Sequence, residues 1–212
     1  MSRSDARDDV HPHHRQAVIH EEDRMNNLPG ARTAAAASTL AAAAFLINAG
    51  IQLASPHFDP HISGGRDWAN EVTFTVAIAA ALVGVLGLSR SRIIARRPAF
   101  VTAAGFVLLL IGLLPEYATG ESPAWFAAVG IPGNLLCLIG LAWAAAGAWR
   151  TGTVPRLAVP LMPLSVLVGV GLAEFGGAII AAAWWTVAAA LLVGKGPAAG
   201  RLGATDAVVR ET

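Results

Sequence analysis

Residues 71–97 read EVTFTVAIAAALVGVLGLSRSRIIARR: one carboxylate, eighteen uncharged and mostly apolar residues, then four arginines within eight positions. A helix needs about 20 apolar residues to cross a hydrocarbon core of roughly 30 Å. The stretch therefore predicts one membrane span with an acid at one end and a basic loop at the other. Short loops rich in arginine and lysine stay on the cytoplasmic side, so Arg90, Arg92, Arg96 and Arg97 orient the span.

The same reading extends over the rest of the 212 residues. Apolar stretches run over roughly Thr33–Ala54, Glu71–Ser89, Ala99–Glu116, Ala124–Trp149, Leu157–Glu174 and Ala178–Gly194. Arg150 and Arg156 separate the fourth from the fifth, and Lys195 follows the sixth. The other loops hold Asp59, Asp67, Glu71, Glu116, Glu121 and Glu174 against a single Arg66. The expected fold is all-α: a polytopic bundle of six transmembrane helices over residues 31–195 with both termini cytoplasmic. Residues 1–30 and 196–212 read as polar, disordered tails, with too few apolar residues to offset the entropy of ordering. Met25, just before the first span, is an alternative start.

Composition narrows the function classes. A chain that is 55% apolar and 14% charged is too greasy for an ordinary soluble domain. Its net charge of +1 hides a sorting of charges by membrane side. Nucleic-acid binding needs a clustered basic face with base-reading side chains, and the arginines here serve topology instead. The partner expected from composition is the lipid bilayer, with a membrane protein or a second copy of the chain as a further candidate. One lysine among many arginines, with abundant alanine and glycine, points to a bacterial inner membrane. Cys137 is the only cysteine, which excludes an intramolecular disulfide and any CxxC motif.

Three carboxylates are candidates for proton or cation binding. From Arg97 to Glu116 is 19 residues and from Arg156 to Glu174 is 18, about 27–29 Å of helix, so each acid belongs near the outer edge of the hydrocarbon. A carboxylate in partial contact with lipid can carry a proton. Glu71, heading the second span, can join Glu116 and Glu174 around one outer vestibule; as a helix-start acid it is also favoured by the macrodipole alone.

Substrate-pocket candidates are Asn134, Pro132, Asn48 and Gln52. Pro132 and its flanking glycines interrupt the fourth span beside Asn134, and a broken helix with a polar side chain at membrane depth is how transporter sites are built. Proline and glycine are also tolerated in membrane helices without function. Asn48 and Gln52, four apart, share one helix face and can hydrogen-bond a neighbouring helix. Trp184 and Trp185 lie too deep for an interfacial belt and should pack against a neighbour. His57, Asp59 and His61 (HFDPH) are possible metal ligands, although a usable site needs three or four ligands at fixed geometry, and Pro60 disfavours a helix there. A shift of 58 residues lays Ala95–Tyr117 over Thr153–Phe175 as a weak internal repeat.

No GxSxG, Walker or Ser-xx-Lys motif is present, and no aspartate lies within a span, so no cofactor is expected and an enzyme, using the outer His, Asp and Glu residues with a metal, is only the third reading. The leading expectation is a small transporter-like or permeation protein, with a polar pocket between Asn134 and the outer carboxylates. The alternative is a non-catalytic membrane subunit or scaffold that docks a partner protein.

Overall fold

A computed structural model describes residues 29–54, 64–120, 124–172 and 175–194. Its elements are α1 (Pro29–Ala54), α2 (Gly65–Arg90), α3 (Arg96–Leu113), the single turn α4 (Glu116–Thr119), α5 (Phe126–Thr151), α6 (Leu161–Gly171) and α7 (Ala178–Gly194). There is no strand among the described residues. Four helices, α1, α2, α3 and α5, are long and apolar enough to cross a membrane. The outer faces are apolar as well: Phe100, Ile131 and Ile139 are 64%, 61% and 55% exposed. Contiguous surface of that kind suits hydrocarbon surroundings, where backbone polar groups must be satisfied inside the helices.

Helix limits follow local chemistry. α2 begins six residues before Glu71, because the Asp67 carboxylate accepts a hydrogen bond from Gly64 N at 3.1 Å and caps the first turn. It ends in a Schellman arrangement: Ile93 N donates to Leu88 O (2.9 Å) and Arg92 N to Ser89 O (3.1 Å). α3 ends at Leu113, short of the expected Glu116, since Pro115 has no N–H to continue the ladder. Glu116 instead opens α4.

The expected span Leu157–Glu174 differs most. Among the described residues it contains only the 11-residue α6, about 16 Å long. Pro155 and Pro160 cannot donate, and the chain between them turns through Ala158 N to Pro155 O at 2.8 Å. The repeat fails at the same place: Ala95–Tyr117 is helical from Arg96, whereas its counterpart becomes helical only at Leu161.

α1 packs along α2 and α7, α3 runs against α5, and α6 bridges α5 and α7. Small residues set these approaches, as in other helix pairs that lack a hydrophobic driving force between them. Gly87 faces Ala34 across α1–α2, and Gly140 abuts Thr102 across α3–α5. The bulk is concentrated at Trp184 and Trp185, which are 0% and 2% exposed. Trp185 lies with its ring centroid 6.4 Å from that of Phe106. This antiparallel packing gathers Arg90, Arg92, Arg96, Arg97 and Arg150 at one end of the bundle. The described carboxylates Asp67, Glu71 and Glu116 lie at the other.

Candidate functional site

The carboxyl end is built by three elements. α1 supplies Asn48, 1% exposed, whose Nδ2 donates to Asn70 Oδ1 at 2.9 Å and to the Asn70 carbonyl at 3.2 Å. α2 supplies Asn70, Glu71 and Thr75 from its first three turns. α4 supplies Glu116, 4% exposed, and Tyr117.

Tyr117 Oη donates to the Glu71 carbonyl oxygen (3.0 Å) and stands 2.7 Å from Thr75 Oγ1. Trp68 covers the phenol ring, with centroids 5.6 Å apart. Clamped in this way, α4 sets the Glu116 carboxyl beside that of Glu71, near enough for the two charges to oppose each other. Two carboxyls held side by side disfavour the state in which both are ionised. Among the described residues, Glu71 Oε2 is buried with no hydrogen-bond partner, as is Gln52 Oε1 on α1. An orphan acceptor beside a carboxyl pair is an electron-rich position that a proton donor, a cation or a water molecule satisfies. Burial pushes the Tyr117 phenol above the usual tyrosine range, and the two neighbouring carboxyls push the same way. The Thr75 bond pulls against them.

A second feature lies deeper. A cavity of about 30 Å³ is lined by one residue or more from each long helix: Phe45, Phe74, Phe106, Asn134, Ser165 and Trp185. That volume holds about one or two water molecules. Phe74 and Ile78 place it roughly 4–10 Å below Glu71 along α2. Its polar groups are turned onto backbone: Asn134 Nδ2 to Gly130 O (3.0 Å), Ser165 Oγ to Met162 O (2.6 Å) and Cys137 Sγ to Thr102 O (3.6 Å). Pro132 is absent from the lining, and α5 continues through it as helix.

The residues singled out from sequence thus divide. Glu71 and Glu116 lie side by side, and Asn48 bonds Asn70, the residue before Glu71. Gln52 lies one turn beyond Asn48 on the same helix. Asn134 belongs to the separate central cavity. Glu174, His57, Asp59 and His61 lie outside the described residues. Among the described residues no three His, Cys, Asp or Glu side chains gather as a metal would require. Asn70 was not legible as a site residue, because a lone asparagine five positions after a glycine pair reads as loop. Thr75 reads as an ordinary span residue until Tyr117 is seen against it.

Comparison with protein families, with curated proteins and with solved structures finds no match for this chain.

Proposed function

We propose that the protein is a small six-span protein of the bacterial inner membrane, both termini cytoplasmic, that passes a proton or a small cation between its two faces. The Glu71–Glu116 pair is the entry site, and the central cavity at Asn134 is the next station inward. One observation carries this reading. Two carboxyls 45 residues apart in sequence lie side by side at one end of the bundle, and among the described residues Glu71 Oε2 is buried with no hydrogen-bond partner. Purely structural acids at helix ends turn to water or to a cation, whereas two carboxyls held side by side favour keeping one proton between them. The arginines at the opposite end support the orientation, with the carboxyl pair facing outward. Glu174 is a third carboxyl candidate from the sequence.

The test is proton entry into vesicles containing the purified protein and an enclosed pH dye, driven by a potassium diffusion potential. Wild type should acidify the lumen faster than protein-free vesicles. Glu71→Gln and Glu116→Gln should bring the rate down to the protein-free level while inserting normally, and Glu174→Gln measures the third acid. Equal rates for wild type and both variants would reject the assignment and leave the docking-subunit alternative.

A further inference from the structure

At the end opposite the carboxyl pair, a cavity of about 290 Å³ opens between the end of α2, the start of α3 and the end of α5. This is close to the lower limit for pockets that hold small molecules, roughly 300 Å³. Arg90, Arg92 and Arg96 line it together with Thr151 and Thr153, and no carboxylate does among the described residues. We propose that this cavity binds the phosphate group of an anionic phospholipid from the adjoining leaflet.

Four observations support a built site over a merely basic loop. First, Arg92 sits at φ +55°, the left-handed position after α2 where glycine is the usual residue. A side chain is carried there at a conformational cost, and that side chain lines the cavity. Second, the loop is held in place: Ile93 and Ile94 are 2% and 4% exposed, and Thr153 Oγ1 donates to Ile93 O at 2.9 Å.

Third, the N-terminus of the 18-residue α3 lies at the cavity wall. Its first N–H groups have no partner within the helix, and its N-cap Ala95 offers no side-chain cap. Backbone donors and the helix dipole there favour an anion, alongside guanidinium groups whose fork matches phosphate oxygens.

The fourth observation selects a lipid. One turn deeper than Arg96 on α3 is Phe100, and one turn deeper than Gly147 on α5 is Trp143. Both are exposed, at 64% and 50%. An apolar chain attached to a phosphate in the cavity would run down these outward residues. Basic pockets between membrane helices are recognised sites for anionic headgroups.

The experiment uses the full-length protein in detergent, with native mass spectrometry reading the lipid retained from mixtures of phosphatidylglycerol and phosphatidylcholine. Wild type should retain phosphatidylglycerol in preference to phosphatidylcholine. Arg92→Gly removes the guanidinium and places glycine where the backbone suits it, so it should fold at least as stably as wild type. It should lose retention by about fivefold, as should Arg96→Gln, the change one basic contact near a headgroup is worth. Arg150→Gln, at the same end but outside the cavity lining, should stay near wild type. Unchanged retention in Arg92→Gly and Arg96→Gln would overturn the proposal, and so would an equal loss in Arg150→Gln, which would mean surface charge alone. Inorganic phosphate is the third arm. If it displaces phosphatidylglycerol at millimolar concentration, or raises thermal stability as much as the lipid does, the ligand is a soluble phosphate and the lipid assignment fails.

Discussion

Tyr117 Oη and Thr75 Oγ1 are 2.7 Å apart, and through this contact the single turn α4 is fastened to the third turn of α2. The bond joins residues 42 apart in sequence and fixes where Glu116 points. Tyr117 is also the only tyrosine in the chain, so its titration can be read without ambiguity.

The tyrosinate absorbance band should rise with a midpoint above 10, the ordinary tyrosine value, because burial first and the two carboxyls second disfavour the phenolate. Replacing Glu71 or Glu116 by glutamine removes a repelling charge and should lower the midpoint. Thr75→Val removes the bond that opposes the shift and should raise it. The folded value lies above the unfolded one. The α4 clamp is therefore intact below about pH 10 and weakens as pH rises through the folded value. A midpoint at or below the ordinary value would mean that the phenol is not covered.

Two glycines should respond to alanine with opposite signs. A Cβ at Gly105 would meet Cys137 Sγ and Gly133 O at 2.6 Å and Cys137 N at 2.7 Å. Two of these are backbone atoms, so α3 and α5 must move apart. Gly105→Ala should cost about 1–3 kcal/mol, the usual range for overpacking. At Gly50 on α1 nothing lies within 4 Å. Gly50→Ala should be neutral or stabilise by up to about 1 kcal/mol, the helix-propensity difference. Denaturant unfolding in micelles measures both against wild type.

How far the chain can be read without coordinates depends on whether a feature is local. Apolar length located α7, whose described residues Ala178–Gly194 fall on the expected stretch, and the depth of Trp184 and Trp185 correctly implied burial. α6 was overextended because hydropathy counts Leu157 and Val159 as span, whereas Pro155 and Pro160 decide the backbone there. The nearness of Glu116 to Glu71 depends on α4, a turn of four residues whose orientation is set by Trp68 and Thr75 on another helix. No window along the sequence carries that information. The arginine cavity was equally hidden: its residues had a sufficient explanation in topology, and neither the left-handed Arg92 nor the approach of Thr153 shows in composition.

Asn48 and Gln52 lie one turn apart on α1, yet they should behave in opposite ways. Asn48 Nδ2 is bonded to Asn70 Oδ1 at 2.9 Å, while Gln52 Oε1 is buried with no partner among the described residues. Hydrogen bonds between membrane helices contribute about 0.6 kcal/mol on average and up to about 1.7. A double-mutant cycle of Asn48→Ala and Asn70→Ala should therefore give a coupling energy near the upper part of that range, since both the amide and the carbonyl of Asn70 are used. Gln52→Met keeps the volume and removes an unsatisfied acceptor. It should raise stability by about 1 kcal/mol, the lower part of the penalty for a buried orphan. If Gln52→Met is instead destabilising, that oxygen has a partner in the membrane, and water shared with the Glu71 carboxyl is the first to look for. Proton entry measured on the same variant then separates the two roles. A stabilised protein with wild-type flux makes Gln52 a packing imperfection, whereas a stabilised protein with reduced flux makes its oxygen part of the path.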